Sequence, residues 1–137
     1  MRTLGLDLGR ATIGLAIADD VLRTARPLHT VRRRSGAADH AAIRTVVEEY
    51  EVTRFVLGLP LNMDGSEGDS ARLARGFAAR LAAEFGLPVE LQDERLSTFE
   101  AEVRLRDRGV SAKDRKSIVD AEAAAVILQS WLDRGDQ

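Results

Sequence analysis

"LGLDLGRATIGLAIAD", Leu4 to Asp19, decides how the rest of the chain is read. Two apolar runs, Thr3–Asp7 and Thr12–Ala18, flank a short turn at Gly9 and Arg10, the pattern of two strands joined as a hairpin. The first run ends in a carboxylate, Asp7. An acid in so hydrophobic an opening is costly unless a hydrogen-bond donor, a cation or a metal meets it there. Outward from this stretch, residues near Leu28–Val31 supply a third strand. Ile43, Val46, Val47 and Tyr50 recur at helical spacing and predict an amphipathic helix over Ala38–Tyr50. Arg54–Gly58 is a short buried strand. Leu73, Phe77, Leu81 and Phe85 mark a second helix, closed by Gly86 with Pro88 beyond it, and Val89–Asp93 is a further strand. Phe99–Arg106 alternates like a strand. Ser97 with Glu100 forms a capping box, however, and Glu100/Arg104 and Glu102/Arg106 are i, i+4 pairs of favourable orientation, so a helix ending at Gly109 is predicted. Ser117–Leu132 is the last helix.

The order β, β, β, α, β, α, β, α, α predicts an α/β fold. A three-strand meander followed by two right-handed βα crossovers gives a mixed five-stranded sheet flanked by helices. Strands one, four and five are then parallel, with their carboxyl ends on the edge where open α/β sheets bind ligands. That edge collects Asp7, the loop "GLPLNMDGSEG" (Gly58–Gly68) and Asp93-Glu94-Arg95. With 137 residues, no repeat and no Pro/Gly-rich linker, one domain over residues 1–137 is expected.

The chain has no cysteine, which removes disulfides, thiolate zinc sites and cysteine nucleophiles, and only two histidines, His29 and His40. No apolar run is long enough to span a bilayer. Asp7, Asp19 and Asp20 interrupt any signal-peptide core, so a cytoplasmic protein is expected. Net charge is −2, but it is unevenly spread. Residues 1–34 carry seven arginines against three acids, residues 35–94 five against eleven, and residues 95–116 seven basic residues against four acids. Two basic segments around an acidic middle suit a surface with one side facing a polyanion. The run Arg32–Arg34, taken alone, reads as solvated charge. Asn62–Gly68 reads either as the rim of a substrate entrance or as a polar turn around Asp64-Gly65.

On the last helix, Glu122, Gln129 and Asp133 cluster as a solvent face at about 100° per residue. Asp120 lies opposite, among Ala124, Ile127 and Trp131. A core-facing acid needs a partner, either Lys116 one turn earlier or a cation. Asp7 and Glu94 each have a structural reading too, as a strand-closing acid and as an exposed strand-end charge. Taken together, three acids with no histidine or cysteine suit a hard divalent cation, Mg²⁺ or Mn²⁺.

"GLDLGRATIGLAIAD", "GLPLNMDGSEG", "DERLST" and "VDAEAAAVILQSWL" resemble, in order, the four signatures of the YqgF family, also called RuvX. These RNase H-like proteins are described as Holliday junction resolvases and as nucleases that mature precursor 16S ribosomal RNA. The resemblance covers essentially the whole chain. It implies a single RNase H-like nuclease domain, residues 1–137, acting as a metal-dependent endonuclease on structured RNA or branched DNA. It further implies that Asp7, Glu94 and Asp120 are the catalytic acids and the ligands of a two-metal Mg²⁺ or Mn²⁺ site. In many RNase H-like nucleases an acid at the end of the fourth strand completes the site. Here that position reads Gly58-Leu59-Pro60 and an acid follows the fifth strand instead, as Glu94 or, alternatively, Asp93. Arg10, Arg95 and Lys116 each sit beside an acid, and either bind nucleic acid or pair with those acids. The first stretch also resembles the phosphate motif of actin-like ATPases and sugar kinases, but those need two such domains. A non-catalytic nucleic-acid or ribosome-binding module is the other alternative, and the three acids speak against it. Because a four-way junction has two-fold symmetry, a weak homodimer is expected if a junction is the substrate. Phe99 and Val103 are placed in the core rather than on that interface.

Overall fold

The computed structural model describes residues 1–95 and 97–134, with the backbone alone at 97, 98, 113 and 115–117. Its elements are β1 (Arg2–Leu8), β2 (Thr12–Asp19), β3 (Arg26–Arg32), α1 (Gly36–Tyr50), β4 (Val52–Leu59), α2 (Asp69–Phe85), β5 (Val89–Asp93), α3 (Ser97–Asp107) and α4 (Ala112–Asp133). The strands form one sheet in the order β3-β2-β1-β4-β5. The β1–β2 and β2–β3 pairs are antiparallel, whereas β1–β4 and β4–β5 are parallel. This is the expected α/β fold, a meander followed by two crossovers.

The period-two alternation of the strands gives the sheet two unlike faces. On one face Leu4, Leu6, Ile13, Leu15, Ile17, Phe55 and Leu57 pack beneath α1 and α2, which contribute Ile43, Val46, Phe77 and Leu81. The other face is made of small residues, Ala16 and Ala18 with Val56, and is covered by Ala124, Ala125, Ile127, Leu128 and Trp131 of α4. A Cβ on Gly14 would come within 1.9 Å of the Asp120 carbonyl oxygen. The backbone of α4 therefore lies directly on β2, with no side chain between them.

Four expectations about side-chain direction are corrected. Leu73 is 70% exposed, because α2 turns Ala71, Ala74, Phe77 and Leu81 inward instead. Phe99 is 62% exposed, since α3 buries Ala101 and Leu105 while Val103 is only half-buried. Glu122 is 3% exposed rather than part of a solvent face. There α3 packs on α4, and Arg108 Nη2 meets Glu122 Oε1 at 2.6 Å. Gln129, also assigned to that face, is half-buried and accepts a hydrogen bond from the Ala25 N–H at 2.9 Å. Asp133 is exposed as expected. The Glu100–Arg104 pair forms, at 3.8 Å, whereas the Ser97 side chain of the expected capping box lies outside the described residues.

Both sheet edges are short or interrupted. β3 carries Pro27 and a register shift opposite Leu15/Ala16, and β5 has five residues. Among the described residues, no helix is long and apolar enough to cross a membrane.

Candidate active site

Asp7 is the second-last residue of β1. It pairs with Gly14 of β2 and lies one residue beyond the Leu6–Leu57 pair, so its neighbour on β4 is Gly58. A Cβ on Gly58 would stand 3.0 Å from Glu94 Cδ and 2.7 Å from Ile127 Cδ1. The missing side chain is the space that Glu94 occupies. Glu94 follows β5 directly, anchored by its N–H to the Leu59 carbonyl at 3.2 Å, and its carboxyl hydrogen-bonds that of Asp7. On the other flank, Gly14 admits α4, which brings Asp120 to the same edge. The Thr12 hydroxyl donates to Asp120 Oδ2. Asp7 thus stands between two glycines, and each makes room for one further acid.

Burial dominates the electrostatics. It raises the Asp7 pKa above the ordinary carboxylate range; the hydrogen bond from Glu94 opposes that rise, and the charge of Asp120 adds to it. Glu94 is pushed up to about 9, first by burial, then by the Asp7 charge, the hydrogen bond to Asp7 and the charge of Asp93. The shared hydrogen bond therefore runs from a protonated Glu94 carboxyl toward Asp7. Among the described residues no three acids converge tightly enough to form a ready-made cation cage. Asp7 and Glu94 touch, while Asp120 is turned to Thr12. The donors are carboxylate oxygens only, with no described cation paired to either Asp7 or Glu94. That is the chemistry a hard divalent ion fits.

The model of the family described as RuvX, Holliday junction resolvase, matches residues 1–134. The chain belongs to the RuvX family. A protein of Anaeromyxobacter dehalogenans strain 2CP-C, named as a candidate pre-16S rRNA nuclease, is 72% identical over 134 residues, which cover 98% of each chain. A protein of Myxococcus xanthus with the same name is 55% identical, over 97% of this chain and 88% of that one. Among solved structures, the Thermus thermophilus RuvC in complex with a Holliday junction superposes with a TM-score of 0.59 at 21% identity, covering 99% and 97% of the two chains. The Fowlpox virus resolvase with Holliday junction DNA gives 0.63 at 10% identity, covering 100% of both. At those identities the likeness is one of fold, and it is the RNase H-like fold that the sequence resemblance implied.

Other candidate residues of this RuvX-family chain fall into different places. Arg10 is exposed on the β1–β2 turn, which is closed by the Gly9 N–H to the Thr12 carbonyl at 2.8 Å. Arg95 turns away from the Asp7–Glu94 pair. It forms an ion pair with Asp93 at 2.7 Å and donates to the Met63 carbonyl at 3.0 Å. Asp93 is occupied by that guanidinium, which holds its pKa below the usual range, so Glu94 and not Asp93 meets Asp7. The loop after β4 is a polar turn: Asp64 Oδ1 accepts from Ser66 N–H at 2.9 Å, and Asn62 N–H bonds the Ser66 carbonyl at 2.8 Å. The Lys116 side chain, considered both for nucleic acid and for Asp120, lies outside the described residues. Sequence reasoning missed Thr12, Gly14 and Gly58. A glycine inside a strand pattern was the available signal, since it marks the close approach of another group.

Proposed function

We propose that this RuvX-family chain is a metal-dependent endonuclease that hydrolyses phosphodiester bonds of structured nucleic acid, built as one RNase H-like domain over residues 1–137. The observation that carries this reading is the Asp7–Glu94 carboxyl pair at the carboxyl ends of parallel strands, with Asp120 close enough to raise the Asp7 pKa. Asp7, Glu94 and Asp120 are the catalytic acids and would hold Mg²⁺ or Mn²⁺. When bound, one or two such ions lower the pKa of a water and stabilise the attacking and leaving oxygens of an in-line displacement. The chain's own part is largely preparation. Glu94 would have to release the proton it shares with Asp7 to solvent before its carboxylate could hold a cation, and Thr12 fixes the orientation of Asp120. Arg10 supplies a phosphate contact from the turn beside Asp7. Arg95 acts indirectly, since its bonds to Asp93 and Met63 tie the loop after β4 to the strand end that carries Glu94.

The relatives' names point to precursor ribosomal RNA and the family description to Holliday junctions; both are structured polyanions cut at a phosphodiester. A junction substrate calls for a weak symmetric homodimer, whereas an RNA substrate does not. The test is side-by-side incubation of a four-way DNA junction, a linear duplex and a structured RNA with Mg²⁺ or Mn²⁺, using wild type and Asp7→Asn. Cleavage of one branched or folded substrate by wild type alone is expected. No metal-dependent cleavage of any of the three leaves the non-catalytic binding module as the better reading.

A further inference from the structure

The proposed acids lie at one end of the sheet, and β2, β3 and the segments joined to them bring four arginines to that same end. β2 begins and β3 ends there: Arg32, the last residue of β3, pairs in register with Thr12, whose hydroxyl bonds Asp120. Residues directly opposite in an antiparallel pair share a face, which puts Arg32 on the face of Thr12 and Asp120. Arg10 sits on the turn between β1 and β2, and Arg33 and Arg34 follow Arg32. Their environments differ sharply. The Arg33 N–H bonds the Ala11 carbonyl at 2.8 Å, and its Nη1 bonds the Gly9 carbonyl at 2.8 Å. Its Nε lies 3.6 Å from Asp39 Oδ2. Asp39 is 4% exposed and also accepts from the Arg34 N–H at 2.9 Å. Arg33 and Asp39 therefore staple the β3–α1 junction to the β1–β2 turn. The side chains of Arg10, Arg32 and Arg34 are exposed, with no ion-pair or hydrogen-bond partner among the described residues.

On the opposite flank of the site the arginines are paired. Arg95 is held by Asp93, Arg75 by Glu67 and Arg72 by Asp69. Unpaired guanidinium groups on one flank and neutralised ones on the other make the approach to the acids one-sided for a polyanion.

We propose that Arg32 and Arg34, presented by the Arg33–Asp39 staple, form a phosphate-binding lip that continues from Arg10 and seats the nucleic-acid backbone on the β3 side of the acids. This rests on the nuclease reading above and adds the direction from which the substrate lies across the site. Two of the three arginines in the run are then ligands, and the middle one is structural.

The test is fluorescence anisotropy with a labelled four-way DNA junction and a labelled RNA hairpin, between about 50 and about 200 mM salt. Wild type is compared with Arg32→Gln/Arg34→Gln and with Arg33→Gln, and melting temperatures are measured in parallel. The double variant is expected to keep the wild-type melting temperature, to bind both probes about ten-fold more weakly, and to lose about 1.4 to 1.8 from the slope of log K against log salt, as two phosphate contacts require. Arg33→Gln is expected to melt at lower temperature. Wild-type affinity and slope in the double variant overturn the lip and leave the nuclease reading standing. A slope change produced by Arg33→Gln with no loss of melting temperature also overturns it, because the middle arginine is then the ligand. Wild type that neither binds nor cuts either probe overturns the nuclease reading and, with it, the lip.

Discussion

The carboxyl group of Glu94 fills the space above Gly58: a Cβ on that glycine would stand 3.0 Å from Glu94 Cδ. β4 has no acid at this position, and the end of β5 delivers one into the gap. Gly58→Ala is expected to displace Glu94 and the Ile127 methyl that also crowds the position. An overpacking cost of about 1–3 kcal/mol in chemical denaturation, with a marked loss of cleavage, is the predicted outcome. Glu94→Ala should abolish cleavage, and adding Gly58→Asp on that background should restore part of it. Failure of the pair to recover any activity would indicate that the acid's height above the sheet, not merely its presence, is essential.

Gly14→Ala should be worse, because the atoms in its way are backbone. Its Cβ would meet the Asp120 carbonyl carbon at 2.3 Å and the oxygen at 1.9 Å, so α4 has to lift off β2. A loss of at least about 3 kcal/mol is expected, along with cleavage, since Asp120 moves with the helix. Urea titration of the two variants side by side checks the ranking Gly14→Ala over Gly58→Ala.

Asp7→Asn should leave the fold intact and remove cleavage. The amide is nearly isosteric but lacks the charge that a hard cation needs. It also removes the carboxylate that accepts from Glu94, so the Glu94 pKa should drop toward the ordinary range. Circular dichroism together with a cleavage assay tests the first part, and the pH dependence of stability tests the second.

In metal-free wild type that pH dependence has a definite sign. Glu94 titrates at 4.5 when unfolded and at about 9 in the native chain, so the native state binds the extra proton between those values. Its contribution is fully present below pH 4.5 and is lost as pH rises toward 9. Melting temperature should therefore fall across the neutral and mildly alkaline range without metal. Millimolar Mg²⁺ or Mn²⁺ should raise it and flatten the slope, because a bound cation favours the ionised pair. Equal slopes with and without metal would count against a cation at these acids.

Arg108→Ala should destabilise the chain by about 2 kcal/mol, less than a fully buried pair costs because Arg108 is half-exposed. Glu122→Gln should cost less than that, since it removes the charge that needs a partner. Thermal denaturation of both variants checks the order.

The fold was legible because its signals were local. Period-two runs, helical spacing, Gly86 and the Glu100/Arg104 pairing each identify an element without knowledge of its neighbours. Two of the three acids, Asp7 and Glu94, were legible as unusual charges at strand ends. What failed was direction. Glu122 looked solvent-facing because a helix pattern records one apolar stripe, and α4 is covered on two sides, by the sheet and by α3. Leu73 looked like core because it repeats every four residues with Phe77, Leu81 and Phe85. Spacing of four drifts about 40° per step on a helix, so the far end of such a row leaves the buried face, and the small Ala71 and Ala74 take its place. Arg33 looked like its neighbours because charge alone cannot say which of three consecutive guanidiniums folds back. Gly14 and Gly58 carried the least signal of all, since what they contribute is an absence of atoms.

The interruptions of the sheet's outer strands bear on assembly. Pro27 withdraws a donor from the free edge of β3, the register shift beside it twists that edge, and β5 offers five residues at the other end. Edges of this kind resist β-augmentation, in which a second chain extends the sheet through main-chain hydrogen bonds. If two copies come together on a two-fold substrate, they have to do so through helix and loop side chains, whose contacts form and dissolve more readily than a shared sheet. The pairing would then last as long as the nucleic acid that templates it.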